Sequence, residues 1–372
     1  MRQKIDFGID LGTTNSAIAY MQDGEAKVIK SDDNQMDTTS SCIAFNKKQT
    51  IFLGLSAKNA IEREAISAFK NRKENTDING YQEFKRTMGT DFTYTSSYMS
   101  RSYTSEELSA EVLKKLKGYV LNEDVASAVI TVPAMFKQSQ LDATQRAAKL
   151  AGFKYCELLQ EPIAASIAYG IKAGQTTGYW LVFDFGGGTF DAALMHVEEG
   201  IMKVVDTAGD NHLGGKDLDN AIVDKILIPE LQKQCSLNEA IRSHKTLLQN
   251  ALKKYAEMAK ITLSSKEKWS YFLEELGEDD DGEEIQADLE ISLEEYEIVS
   301  MPIFQRAIDT TKDILKRNHL SGNDLSSLIL VGGPTFQQTL RRMLKEQITP
   351  NVDTSIDPMT AVAKGAALFA ST

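Results

Sequence analysis

The chain has 372 residues, 42% apolar and 25% charged, ordinary values for a globular protein with a sizeable core, and its length allows two or three compact units. Its formal net charge of -12 argues against the basic surface that a nucleic acid or an anionic membrane would demand. Three scattered cysteines, Cys42, Cys156 and Cys235, an N-terminus without an apolar signal core, and no apolar run long enough to span a bilayer point to a cytoplasmic protein.

From the N-terminus, Ile5 to Leu11 reads as a strand broken at Gly12, and Ile18 to Tyr20 and Ala26 to Ile29 flank Asp23-Gly24 as a hairpin. Residues 34–103 are mixed and poorly periodic. Thr104-Ser105-Glu106-Glu107 has the form of a helix cap, followed by Leu108, Val112, Leu113 and Leu116 on one face. Val125 to Val132, ended by Pro133, is apolar enough for a central strand covered on both faces. A helix over Ser139 to Leu150, a strand over Tyr155 to Leu159, and a helix with Pro162 in its first turn and Gly170 past its end follow. Thr176 to Gly178 is turn material at a boundary between halves. Tyr179 to Phe185 opens a second run of strands, continued by Ala192 to Val197 and Lys203 to Asp206. Residues 218–263 are helical in pattern, Trp269 to Ile291 carries strand pieces around an acidic loop read as a solvated tip, and Leu293 to His319 is helical. Leu328 to Val331 is a buried strand broken by Gly332-Gly333-Pro334, and an alanine-rich helix runs from Asp357-Pro358 to Phe369.

One pattern occurs twice. Ile9-Asp10-Leu11-Gly12-Thr13-Thr14 and Phe183-Asp184-Phe185-Gly186-Gly187-Gly188-Thr189 both read apolar-Asp-apolar-Gly, then small residues and Thr, at the first strand of each half. Two similar lobes facing one another are the economical expectation.

In the first copy, glycine permits a tight turn, successive amides form an anion nest, and Thr13, Thr14 and Asn15 follow with polar side chains. Asp10 could hold a hydrated Mg²⁺ there, although a plain hairpin turn would use the same residues. The second copy is harder to explain blandly. Three consecutive glycines cost backbone entropy that a close approach to a ligand would justify. Asp184 and Asp191 beside them would repel phosphates unless cations intervene, which implies Mg²⁺, with K⁺ as a further candidate. Glu161, directly before Pro162 at a helix start, suits the helix dipole, or a general base that positions water. Lys85 is a candidate for stabilising γ-phosphate charge, or a solvated surface lysine. Gly332-Gly333 would let a flat adenine or ribose approach the backbone, or form an ordinary tight turn. Gly214-Gly215-Lys216-Asp217 lacks the spacing of a P-loop.

With these motifs in order along nearly the whole chain, the sequence resembles the nucleotide-binding domain of seventy-kilodalton heat-shock chaperones of the DnaK type. The resemblance is carried by Gly8 to Ser16, by Ala128 to Ala134, and by Glu161-Pro162-Ile163-Ala164-Ala165 through Gly170. Phe183 to Asp191, Gly209 to Gly215 and Leu330-Val331-Gly332-Gly333 complete it. It implies an α/β, actin-like ATPase fold with two ribonuclease-H-like lobes around a nucleotide cleft. Lobe I would be 1–173 (1–33 and 104–173 with an insert at 34–103). Lobe II would be 174–372 (174–217 and 295–350 with an insert at 218–294), and a C-terminal helix over 357–370 would return to lobe I.

Carried over residue by residue, Lys85, Glu161, Asp184 and Thr189 would serve hydrolysis, and Asp10, Asp184 and Asp191 would organise the metal. Gly12, Thr13, Thr14, Asn15, Gly186, Gly187, Gly188, Thr189, Gly214 and Gly215 would hold phosphates. Glu257, Lys260, Ser264, Gly332, Gly333, Phe336 and Asp357 would hold the nucleoside, and Pro133 would match a proline that relays nucleotide state.

Some positions depart from the family. Phe336 stands where arginine usually stacks on adenine, Leu141 stands at a usually basic position, and the segment Thr87 to Tyr103 is short. The sequence stops near Phe369, before the family's linker and peptide-binding domain.

The expected function is therefore slow, Mg-dependent ATP hydrolysis, with ATP and ADP as ligands, in a monomer that gates a separate peptide-binding module. A nucleotide-exchange factor and a J-domain co-chaperone are candidate partners; nucleic acid and membrane are not. A filament of the bacterial actin type and a small-molecule kinase of the same fold stay open as alternatives.

Overall fold

The computed structural model describes residues 7–73, 78–170, 177–199 and 201–371. Ile5 of the first expected strand and Thr176 of the expected boundary lie outside the described residues.

The chain begins with strands β1 (Phe7–Asp10), β2 (Asn15–Gln22), β3 (Glu25–Val28), β4 (Thr39–Ser40), β5 (Cys42–Phe45) and β6 (Ile51–Leu53), then helix α1 (Gly54–Lys70). There follow β7 (Gly80–Gln82), β8 (Thr93–Ser96), β9 (Arg101–Thr104), α2 (Ser105–Lys117), β10 (Ser127–Val132), α3 (Gln138–Leu150), β11 (Tyr155–Gln160) and α4 (Glu161–Ala168). Next come β12 (Gly178–Phe185), β13 (Phe190–Glu198), β14 (Ile201–Asp210), α5 (Gly215–Ile222), α6 (Ile228–Gln234), α7 (Asn238–Leu263), β15 (Lys268–Leu273) and β16 (Ala287–Ser292). The chain closes with α8 (Leu293–Arg317), β17 (Leu325–Val331), α9 (Gln338–Gln347), β18 (Val352–Asp353) and α10 (Ala361–Ala370).

The two large sheets have the same plan. One runs β11-β10-β1-β2-β3, the other β18-β17-β12-β13-β14. In each, the first two pairings are parallel and the last two antiparallel. The repeated sequence motif therefore marks a repeated topology, with Gly12 and Gly186 at matching hairpins. Hairpin β2–β3 turns on Asp23 (φ 54°) and Gly24 (φ 83°), a left-handed pair that fits the twist of the strands.

Between the sheets, α4 and α10 share a core with both. Val129 and Leu159 of one sheet, Val182, Ala193 and Ile329 of the other, and Ala164, Val362 and Ala366 of the two helices belong to one buried cluster. Small residues make this possible: a Cβ on Gly365 would run into the carbonyl of Ala164, and one on Gly8 into the backbone of Ala367. The last helix starts at Ala361 rather than at Asp357, because Asp357 and Pro358 form a preceding turn whose carbonyl at Asp357 accepts the Thr360 and Ala361 amides at 3.1 and 3.0 Å.

Two expectations change in the inserted regions. The aperiodic stretch 34–103 contains α1, 17 residues long but with only Gly54, Ala57 and Phe69 fully buried, so no apolar stripe betrays it. The acidic loop does more than face solvent: the carboxylate of Asp280 accepts the Glu239 and Ala240 amides at 2.6 and 3.0 Å and so caps the start of α7.

Candidate active site

The first glycine turn joins β1 to β2 and is braced from behind. The Gly12 amide donates to Ser16 Oγ at 3.1 Å, Ser41 Oγ donates to the Gly12 carbonyl at 2.8 Å, and the Ser41 amide donates to the Thr14 carbonyl at 2.8 Å. Glycine is required at position 12 because a Cβ would run into the carbonyl of Asn15. The second turn joins β12 to β13 and is closed by the Gly186 amide on the Thr189 carbonyl at 2.9 Å. Gly214 and Gly215 support it: the Gly215 and Lys216 amides donate to the Gly186 and Gly187 carbonyls at 2.9 and 2.8 Å. The Gly215 amide is thus spent on the turn itself.

The two turns meet. A Cβ on Gly187 would overlap the side chain of Thr14. Thr14 Oγ1 is buried and has no hydrogen-bond partner among the described residues. An unpaired buried hydroxyl is costly, and an anionic oxygen between the turns would satisfy it.

Below the turns lies a cluster of charge. Lys85 Nζ donates to Glu161 Oε1 at 2.7 Å, with side chains 7% and 14% exposed. Lys85 reaches this point from a short 3₁₀ turn, Phe84–Thr87, which Glu83 starts in the left-handed region (φ 61°). Glu161 is the first residue of α4, at the positive end of its dipole. Asp184 and Asp191 are direct cross-strand partners. Asp10, at the end of β1, accepts a hydrogen bond from Thr131 Oγ1 at 3.3 Å.

The electrostatics follow from burial. Desolvation, then the Glu161 charge, push the Asp10 carboxyl up to about 7 against the pull of Lys85. The same two causes lift Asp191 to about 6. Asp184 rises well above the usual carboxylate range through burial and through Glu161, Asp191 and Asp10. Burial alone would lower the Lys85 ammonium, but Glu161 and Asp10 outweigh it and the net shift is upward.

Four carboxyl groups around one lysine leave an excess of negative charge that a cation would neutralise. Among the described residues no three His, Cys, Asp or Glu side chains close into a direct ligand cage. Asp10, Asp184 and Asp191 are the carboxylates that could hold such a cation. Pro133 borders the same cavity as Glu161, Asp184 and Asp191.

Of the nucleoside candidates, Lys260 and Gly332 reach the second turn. Lys260 Nζ pairs with Asp219 Oδ1 at 2.7 Å and donates to the Gly215 carbonyl at 3.1 Å, so α7 is tied to the second turn. Gln337 Nε2 donates to the Lys260 carbonyl at 2.8 Å, fixing the 3₁₀ turn Gly333–Phe336 against the end of α7. Phe336 is 36% exposed there, with the Arg341 guanidinium 5.6 Å from its ring centroid. Gly332 sits at φ 94° over the Phe185 carbonyl, where a Cβ would collide. Glu257 pairs with Lys58 at 2.6 Å; burial would raise its carboxyl, but Lys58 and Lys260 hold it below the usual range.

Ser264 and Asp357 are engaged locally instead. Ser264 Oγ donates to the Ile261 carbonyl at 2.7 Å, and Asp357 Oδ1 accepts the Met359 amide at 2.8 Å. Thr13, Asn15, Gly188, Thr189 and Gly333 lie in or beside the turns at which the motifs put them.

Sequence reading missed the partners. Arg86 donates to the Gly188 carbonyl, Lys216 pairs with Glu83 at 2.9 Å, and Thr131, Asp219, Gln337 and Lys58 each hold a candidate residue. Arg86 and Glu83 carried a signal through their place beside Lys85, and Thr131 and Lys216 lay inside quoted motifs, but nothing in the sequence marked Asp219, Gln337 or Lys58.

Duplicated sheets of this plan, with glycine turns meeting across a charged cleft, define the actin-like ATPase class: α/β, two ribonuclease-H-like halves. A family model described as Hsp70 protein matches residues 6–372. The chain belongs to the Hsp70 family, whose members bind and hydrolyse ATP and work with co-chaperones, and it corresponds to their nucleotide-binding domain.

Proposed function

We propose that the chain is a slow, Mg²⁺-dependent ATPase, turning ATP into ADP and phosphate by in-line attack of water, and that nucleotide state controls a peptide-binding module. The observation that carries this reading is the buried Lys85–Glu161 pair, whose lysine interacts with Asp10 and Asp184, the carboxylates that lead into two glycine turns in contact with one another. In this reading the turns cradle the phosphates through backbone amides, and Thr13, Thr14 and Thr189 donate hydroxyls. Lys85 stabilises charge that develops on the γ-phosphate, and Glu161 orients and polarises the attacking water. Asp10, Asp184 and Asp191 would hold a hydrated Mg²⁺, which when bound neutralises phosphate charge; K⁺ is a second candidate cation.

Glu257, Lys260 and Ser264 on one side and Gly332, Gly333 and Phe336 on the other would bound the nucleoside. Phe336 would stack on adenine by its face without a formal charge. The duplicated sheets support two lobes divided near residue 173. An exchange factor and a J-domain protein are the partners this reading expects, in a cytoplasmic monomer.

Calorimetry with ATP and millimolar Mg²⁺, paired with single-turnover hydrolysis, tests the proposal. Binding with phosphate release that EDTA abolishes supports it. Absence of both heat and thermal protection overturns it.

A further inference from the structure

Helix α4 carries Glu161 at its start and Tyr169 just past its end, about 12 Å apart along its axis. Its middle is pressed against α10, where a Cβ on Gly365 would run into the carbonyl of Ala164. The Glu161 end belongs to the charge cluster, through its pair with Lys85 at 2.7 Å. The Tyr169 end is fastened to the second large sheet.

The Tyr169 hydroxyl donates to the Leu330 carbonyl at 2.9 Å and to the Ile356 carbonyl at 3.3 Å. The last rung between β17 and β18 joins Ile329 to Asp353, so the hydroxyl takes over one residue beyond the end of that ladder. Burial, then the Asp353 charge, push the phenol up, which keeps it a donor.

Both acceptors lead to the nucleoside candidates. Leu330 stands two residues before Gly332, and Ile356 two residues before Pro358, whose carbonyl accepts the Gly332 amide at 3.0 Å. Arg341 supplies a second connection. Its Nε donates to the Thr335 carbonyl at 2.7 Å, its guanidinium lies 5.6 Å from the Phe336 ring centroid, and its charge reaches the Tyr169 hydroxyl.

We propose that Tyr169 is a positioning residue for hydrolysis: its hydroxyl ties the nucleobase end of the site to α4, so that a base seated against Gly332 and Phe336 sets the angle at which Glu161 meets the attacking water. The proposal rests on the nucleotide reading above and adds a residue that acts through Glu161. A short helix held at its middle moves as a rod, so a displacement of the Tyr169 end returns at the Glu161 end. Binding of a part of the substrate that does not react thereby orients the group that serves the part that does.

The test is single-turnover hydrolysis at saturating Mg-ATP in the wild type, Tyr169→Phe, Phe336→Ala and the double variant, with Mg-ADP affinity measured by calorimetry. Tyr169→Phe keeps the ring in its core and removes both hydrogen bonds. It is expected to slow hydrolysis about tenfold while the dissociation constant moves less than about threefold. Phe336→Ala removes the stacking face and is expected to slow the saturated rate by a similar factor. Because both changes act along one route, the double variant should also be slowed about tenfold, rather than the roughly hundredfold of independent effects.

Hydrolysis at the wild-type rate in either single variant overturns the proposal, and so does the independent, multiplied loss in the double variant. A loss of Mg-ADP affinity in Tyr169→Phe that matches its loss of rate assigns the hydroxyl to the fold of the pocket and overturns the proposal as well. A wild type that neither binds nor hydrolyses ATP fails the nucleotide reading itself. Active wild type with independent effects in the variants removes the role of Tyr169 alone.

Discussion

Lys85 and Glu161, separated by 76 positions in sequence, share a buried 2.7 Å ion pair. The pair has one residue on the insert after β7 and the other at the start of α4, so the insert helps to build the site rather than decorating it. A buried pair is weak ground for stability, since its desolvation cost rivals its attraction. Its place among Asp10, Asp184 and Asp191 is better explained by chemistry on a charged substrate.

Replacing the Glu161 carboxylate by an amide keeps its shape and removes its charge. Glu161→Gln is expected to slow single-turnover hydrolysis at least about 100-fold, on the order of 3 kcal/mol of barrier. The dissociation constant for ATP should move by less than about tenfold, because the phosphate turns are untouched. Wild-type hydrolysis in this variant would remove Glu161 from the reaction.

Much of this site was legible in the chain because glycine patterns report backbone, and backbone builds the turns. Asp10 and Asp184 fell in register with the first strand of each half, and the duplicated sheets follow the duplicated motif. What could not be read was side-chain partnership across distance. Lys85 looked like a lone lysine until the left-handed residue Glu83 turned it inward. Helix α1 escaped notice because its buried positions, Ala57 and Phe69, serve two different cores and make no single stripe. The Asp357 turn was read as a helix start because Asp-Pro is a common one, yet here it closes a loop over Gly332, whose amide donates to the Pro358 carbonyl at 3.0 Å.

The close approach of the second turn to Thr14 gives a steric test. Gly187→Ala is expected to weaken ATP binding at least tenfold, since the added methyl needs the space that Thr14 occupies. Gly187 is half-buried at the tip of a hairpin, so the fold should survive. The matching control is Gly187→Ala with Thr14→Ser, whose side chain, freed of the methyl, can turn its Oγ away from the new Cβ and should recover part of the affinity. Full affinity in Gly187→Ala, measured by calorimetry, would show that the turns part more readily than their contact suggests.

Nucleotide-free protein should also carry an electrostatic strain that pH can read. Asp10 and Asp191 stand at about 7 and about 6 in the folded chain, against an ordinary value of 3.8. Between pH 4 and 7 the folded state therefore binds more protons than the unfolded state, and stability falls as pH rises through that window. The sign is opposite to that of a carboxylate held by a salt bridge. Asp10→Asn removes its share: the urea midpoint in EDTA should fall less steeply between pH 5 and 8 than in the wild type, and at pH 8 the variant should be the more stable by at most about 4 kcal/mol. Millimolar Mg²⁺ should narrow the gap at pH 8 by neutralising the same carboxylates. Parallel wild-type and Asp10→Asn curves across this range would mean that Asp10 is ionised without penalty in the folded chain, and the charge cluster would lose its claim to need a cation.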